Sequence, residues 1–500
     1  MTNSVLLAGI VLALSNFMVV LDTTIANVSV AHIAGGLGIS SSEGTWVITS
    51  YAVAEAICVP LTGWLARRFG EVKVFVAGMI GFGIFSFLCG IAPSLGALVA
   101  FRVGQGLAGG PLMPISQTLL LRIFPKEKHG MAMALWSMTT IVAPIFGPIL
   151  GGTISDNWGW NWIFFINVPI AIMCSIAAVA LLRGAESKTE KVPVDGIGLS
   201  MLVLAVGALQ IMLDLGRERD WFGNTFIVEL AVISFVGFAF LIAWEWFDRH
   251  PIVDLKVFRH RGFTVSVVAL TFTYGAFFAS LVVIPQWLQT SLGYTATWAG
   301  YATAFNGVAA VFMAPVAAIL SQKIDPRLLV SGGILWLAAT SLTRVFWWTS
   351  GADFWTLALP QLIQGAGMPF FFVPLTTLAL GAVDEDEVAS AAGLMNFLRT
   401  MSGAVATAIG VTMWENGAQR ARDNLSAIMG GTQSTMSTLQ AHGFGVEQSR
   451  QYVSQLLESQ AAAVSTVNLF ELFAAVFVGA AAIIWLAPKP KHAVAPGRGH

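Results

Sequence analysis

Runs of roughly 20 apolar residues, separated by short polar breaks, repeat along the whole chain, which is the length a helix needs to cross a bilayer. Windows of that size predict about fourteen spans, near 6–30, 46–66, 74–92, 97–120, 131–153, 161–182, 196–215, 225–247, 263–287, 297–320, 328–349, 354–382, 388–414 and 466–486. The fold class expected is therefore an all-α polytopic membrane protein. A polar stretch at 415–465 interrupts the pattern, with a helical segment around VEQSRQYVSQLLESQAAAV. It reads as a solvated helix pair or as a docking surface for a periplasmic partner.

Composition agrees with the pattern. The chain is 56% hydrophobic and 11% charged over 500 residues, with a mean hydropathy of +0.75, more apolar surface than a soluble core absorbs. A net charge of −1 gives no reason to expect nucleic acid. Cys58, Cys89 and Cys174 all fall inside predicted spans without ligand spacing, so neither disulfide nor zinc use is expected. No basic segment or small-residue cleavage site accompanies the first apolar run, which reads as a retained span.

Loops alternate in basic content: Arg67, Arg68 and Lys73; Arg122, Lys126 and Lys128; Arg183, Lys188 and Lys191; Arg249, Lys256, Arg259 and Arg261; Lys323 and Arg327. These loops, and a tail with Lys489, Lys491 and Arg498, are expected on the cytoplasmic side, with both termini cytoplasmic and 415–465 outside. Arg217 and Arg219 are the exception among the opposite loops, and the loop Asp384 to Glu387 is acidic.

The sequence also repeats. FRVGQGLAGGPLMPISQTLLL in span 4 returns as PQLIQGAGMPFFFVPLTTLAL in span 12, placing Gln105-Gly106 on Gln364-Gly365, Arg102 on Gln361 and Glu55 near Asn306. Spans 2 and 10 both begin Thr-Trp and carry a proline in their later half, Pro60 and Pro315. Two six-helix halves at 1–185 and 256–486 are expected, with two inserted spans at 186–255 and a cytoplasmic tail at 487–500. Halves facing one another across a cavity are the architecture of a rocking transporter.

Charge within the spans carries the candidate chemistry. A carboxylate at bilayer depth costs at least about 2.5 kcal/mol, and desolvation favours the neutral form of a carboxyl. Asp22 and Glu55 therefore read as proton- or substrate-handling groups. At 1.5 Å per residue, Asp22, Glu55 and Arg102 lie roughly 13, 14 and 8 Å from the outer ends of their spans, a depth at which one site holds all three. Two acids against one arginine leave one negative charge to be met by a proton. Asp22 is assigned proton coupling, Arg102 its charge partner, and Glu55 a second proton carrier or the determinant for cationic substrates. Tyr51, Glu55, Cys58 and Thr62 form a polar stripe at helical spacing. A structural ion pair, or a water-facing carboxyl at Glu55, is the alternative.

Met18, Asn27, Tyr51, Gln105, Met113, Trp136, Asn306, Gln364, Asn396 and Arg399 form the expected substrate cavity, whose methionines and aromatics suit varied amphipathic molecules. Arg399 has no acid nearby in sequence and equally suits a tie to backbone carbonyls. Arg344, Glu229, Glu245, Asp214 and Glu471 lie near span ends and read as interfacial groups. Gly147, Pro148, Gly151 and Gly152 in span 5 predict a bend and the close approach of a neighbouring helix.

LDTTIANV, GTWVITSYAVAEAICVPLTGWLARRFGEVK, the span-4 run above, ALWSMTTIVAPIFGPILGG, WIFFINVP, ALQIMLDLGRERDWF, His250 to Leu255 and NFLRTMSG together resemble the major facilitator superfamily, in its 14-span drug:proton antiporter branch of EmrB type. The resemblance runs along essentially the whole chain. It implies a major facilitator fold and a bacterial inner-membrane antiporter that expels hydrophobic drugs or weak acids. It further implies a periplasmic membrane-fusion adaptor, an outer-membrane channel and the proton gradient as energy source, with no cofactor. In such proteins the span-5 glycines are taken to seal the cavity against proton leak. Gly63, Arg68, Gly70 and Lys73 match the cytoplasmic loop motif, but Arg67 and Glu71 reverse its charge order; Ala31 replaces a frequent proline, and Glu55 stands where an amide or small residue is expected. No nucleotide-binding loop, GxSxG or HExxH suggests an enzyme. Export of an endogenous metabolite or siderophore, or a non-transporting sensor or scaffold on the same fold, are the other readings.

Overall fold

The protein is described by a computed structural model over residues 3–248, 251–428, 432–442 and 444–489. Expectations resting on Arg249, His250, Lys491 and Arg498 lie outside the described residues. Every regular element among those residues is helical. The main helices are α1 Asn3–Leu37, α2 Trp46–Phe69, α3 Glu71–Gly90, α4 Leu95–Gly109, α5 Leu112–Ile123, α6 His129–Asn157, α7 Asn167–Leu181, α8 Gly196–Gly216 and α9 Thr225–Phe247. They continue as α10 Arg261–Ser291, α11 Ala296–Leu320, α12 Pro326–Trp347, α13 Phe354–Leu380, α14 Val388–Ile428, α15 Thr432–Ala441 and α16 Val446–Ile483.

Eleven of the described helices are long and apolar enough to cross a membrane, and the bent α6 makes twelve. The remaining two expected spans have physical reasons for failing that test. Span 4 is split into α4 and α5 at Gly110-Pro111, because proline at a helix start provides no amide to continue the ladder. Span 13 is helical throughout as the first part of α14, but Asn396 and Arg399 lower its hydropathy.

Helix starts follow local chemistry. Asp195, Asn224, Thr295, Asp325 and Asp353 each accept a backbone N–H of the first turn, and Pro326 occupies the first position of α12. A side-chain hydrogen bond from Thr356 holds Asp353 below the usual carboxylate range.

The packing of the first six spans recurs in the last six. In both sets the first helix packs on the fifth and sixth, the second on the fourth, and the third on the fourth and sixth. α8 packs on α9, α2 and α14, while α9 is mostly exposed. α14 is 41 residues long, about 62 Å at 1.5 Å per residue and twice the hydrocarbon thickness. With α15 and the start of α16 it forms a polar helical hairpin, tied by Arg422–Glu458 at 3.3 Å. The helical segment expected within 415–465 is thus present as part of a hairpin.

Glycines allow the tightest crossings. A Cβ on Gly365 of α13 would run into the backbone carbonyl of Asn306 on α11. Gly365→Ala is expected to destabilise by about 1–3 kcal/mol through overpacking. An unchanged detergent-solubilised melting temperature would show that the two helices part without cost.

Candidate functional site

Asp22, on α1, is fully buried at the meeting point of four helices. Arg102 Nη1 of α4 donates to its Oδ2 at 2.6 Å; Gln105 Nε2, one turn on, and Asn167 Nδ2 of α7 donate to Oδ1 at 3.0 and 2.7 Å. Ser86 of α3 accepts from both amides at 3.3 and 3.1 Å and donates to the Phe164 carbonyl. Arg102 also donates through Nε to the Val47 carbonyl at 3.0 Å and lies 4.2 Å from the Tyr51 ring centroid, a cation–π contact. The expected depth match of Asp22 and Arg102 is a direct ion pair. Asn167 and Ser86 were missed by sequence reasoning, although Asn167 sits within WIFFINVP.

Tyr51 and Glu55 reach this cluster because α2 crosses α4 on glycines. A Cβ on Gly106 or Gly110 would meet the carbonyls of Tyr51 and Glu55. Glu55 is buried and forms no ion pair among the described residues, yet it lies within electrostatic reach of Asp22, Arg102 and Arg399. Folding thus brings a second guanidinium, Arg399 of α14, within electrostatic reach of Glu55 across 344 positions of sequence.

Arg399 is caged by aromatic rings, with its guanidinium 5.2, 5.3 and 5.9 Å from the centroids of Trp136, Tyr274 and Phe372. Nη2 meets the sulfur of Met113, and Nε has no acceptor. Asn396, one turn before it, donates to Gln117 of α5 at 2.8 Å. Trp136 stacks on Phe372 and donates to Ser116 at 3.0 Å. Residues from α5, α6, α10, α13 and α14 thus meet in one polar-aromatic cluster between the two sets of spans. Met113, Trp136, Asn396 and Arg399 are brought together as expected; Gln117, Tyr274 and Phe372 join them unannounced. Gln117 lies one helical turn from Met113 and was findable by spacing.

Other candidates fall elsewhere. Met18 is buried in the core, and Asn27 is exposed on α1 away from this cluster. Gln105 serves Asp22 rather than a cavity wall. Asn306 and Gln364 join Arg344 instead: Asn306 Nδ2 donates to Gln364 Oε1 at 3.2 Å, and Arg344 Nη2 donates to the same oxygen. Arg344 and Glu245 are fully buried, not interfacial, since helix neighbours cover both.

On α6, a Cβ on Gly147 would strike Thr24 and one on Gly151 would strike Val28 and Ile25, so these two glycines seat α1. Gly152 faces open space and has no such packing role. The helix axis turns by 48° across this region; the Pro148 side chain lies outside the described residues. In the cytoplasmic loop motif, Gly70 adopts φ 93°, which a side chain would strain. Glu186 accepts the Val72 N–H at 3.0 Å, placing a carboxylate at the start of α3. Arg68 donates to the Val192 carbonyl and lies against Trp64, Lys73 is exposed, and Glu71 pairs with Arg122 at 2.8 Å. Gly63 of α2 packs against Ser390 of α14.

A bundle of apolar helices in two like-packed sets of spans, with charged and polar side chains buried inside it, has the build of a membrane transporter. The sequence profile of the Major Facilitator Superfamily matches residues 12–407, and the chain belongs to that family of transporters rather than to an enzyme family. It is 44% identical over 494 residues to "Multidrug export protein EmrB" of Escherichia coli (strain K12), covering 98% of this chain and 96% of the relative. It is 42% identical over 493 residues to "Fatty acid resistance protein FarB" of Neisseria gonorrhoeae, covering 98% and 97%. Among solved structures, a proton:xylose symporter, XylE, superposes with a TM-score of 0.59 at 15% identity, over 98% of this chain and 97% of that one. That likeness concerns the fold alone.

Proposed function

We propose that the protein is a proton-coupled antiporter of the bacterial inner membrane that exports hydrophobic and amphipathic toxic compounds. The observation that carries this reading is the buried Asp22–Arg102 pair set beside Glu55, Arg399 and an aromatic cluster shared by the two sets of spans. Similarity to relatives named for multidrug export and fatty acid resistance supports the substrate class.

In this reading the halves at 1–185 and 256–486 rock about the cluster, with fourteen spans, cytoplasmic termini and 186–255 as an insertion. Protonation of Asp22 withdraws the charge that Arg102, Gln105 and Asn167 hold and loosens α1 from α4 and α7. Glu55 then carries a second proton or receives the cationic end of a substrate. No cofactor is required, since the ion gradient supplies the energy. The hairpin at 415–465 is the surface offered to a periplasmic adaptor and, through it, an outer-membrane channel; its exposed Phe444, Val446 and Tyr452 support that role.

Transport of fluorescent substrates into inside-out vesicles under an imposed pH gradient tests the scheme. Glu55→Gln is expected to slow cationic substrates more than neutral or acidic ones. Equal slowing for every charge class would remove Glu55 from selectivity.

A further inference from the structure

The second set of spans repeats the Asp22 cluster without its acid. Arg344 of α12 lies 20 residues before Gln364, as Ser86 of α3 lies 19 before Gln105. The guanidinium has therefore moved from the fourth helix of the first set to the third helix of the second, while Gln361 replaces Arg102. Arg344 Nη2 donates to Gln361 at 3.0 Å and also to Gln364, which in turn accepts from Asn306. Trp348 and Phe470 cover the guanidinium at 5.2 and 4.8 Å.

Among the described residues no carboxylate pairs with Arg344, in contrast to Arg102. Its Nε and Nη1, together with Gln361 Nε2 and Gln364 Nε2, have no hydrogen-bond acceptor among the described residues. Arg344 and Gln364 are wholly buried and Gln361 is 1% exposed. An isolated buried cation is among the costliest groups a membrane protein can hold, and amide oxygens from two glutamines supply dipoles but no charge. These four orphaned atoms, on the guanidinium and on the two amides bound to it, are all donors; an orphaned acceptor, Asn306 Oδ1, belongs to the amide that donates to Gln364. Unpaired donors on and beside a positive charge are complementary to an anion.

We propose that this cluster binds one small inorganic anion of halide size, held by Arg344, Gln361 and Gln364 and taking the electrostatic place that the Asp22 carboxylate has in the first set. The enclosing rings favour a small ion over the head of an amphiphile. Binding stabilises the second set of spans in the way any ligand specific to the folded state does, and it makes stability depend on chloride rather than on ionic strength.

The test uses the full-length protein in detergent at constant pH and ionic strength, with chloride exchanged for gluconate and bromide as a second probe. Chloride and bromide are expected to raise the melting temperature saturably, and radiolabelled chloride should dialyse in at one ion per chain. Arg344→Gln should abolish both effects; Gln361→Leu, a milder change, should weaken chloride binding if the first variant fails to fold. Equal melting in chloride and gluconate overturns the proposal, as does chloride binding unchanged in Gln361→Leu or Arg344→Gln. Stabilisation by decanoate with none by chloride also overturns it, assigning the site to substrate carboxylates.

Discussion

Arg102→Ala is expected to leave little folded protein in the membrane. Deleting the guanidinium strands Asp22 at full burial and unties Arg102 Nε from the Val47 carbonyl that anchors the start of α2. Breaking a buried pair from one side costs about 3–5 kcal/mol, and loss of the stacking contact on Tyr51 adds to it. Pairing the change with Asp22→Asn should recover part of the loss, because the uncompensated charge disappears. The measurement is a double-mutant cycle on detergent-solubilised melting and on the folded fraction in size-exclusion chromatography. A single variant that melts with the wild type would mean that the ion pair contributes nothing to folding.

Asp22→Asn separates coupling from stability. The substitution preserves volume, but either orientation of the amide turns an NH2 toward a donor: toward Arg102 Nη1, or toward Gln105 Nε2 and Asn167 Nδ2. A buried donor facing donors costs about 1–3 kcal/mol. The Arg102 cation also loses its carboxylate, at a cost of up to about 3–5 kcal/mol, but it keeps the Val47 carbonyl, Gln105 Oε1 and the Tyr51 ring, so folded protein is expected in membranes at a reduced level. Its pH-driven uptake should fall to background for cationic, neutral and acidic substrates alike. Retained substrate binding with lost pH-driven transport is the expected signature; uptake that persists for any one charge class would place the essential proton on another residue, with Glu55 first in line.

The pair Asp22–Arg102 was legible before any coordinates. Helical rise converts sequence position into depth, and an ionisable group at that depth requires a partner. Depth does not give azimuth. Glu55 matched the other two in depth, yet it sits outside the ion pair, and Gln105 proved to be a ligand of Asp22. Azimuth is fixed by which helices cross, and that depended on glycines such as Gly106 and Gly110, whose contacts reveal themselves only when a neighbour is in place. The same holds for Gly147 and Gly151 as against Gly152, three residues of one motif with different surroundings.

What the sequence determined by itself is what a bilayer enforces locally: helices of spanning length, a six-span repeat and a few charges at defined depth. These follow from backbone hydrogen bonding and hydration, which act residue by residue. Only the tertiary structure decided which charges meet. Arg399 comes within electrostatic reach of Glu55 across 344 positions of chain, and Arg344 shares Gln361 and Gln364 with no acid paired to it among the described residues. Electrostatic interaction depends on distance through space in a low-dielectric interior, and that distance exists only once the helices have packed.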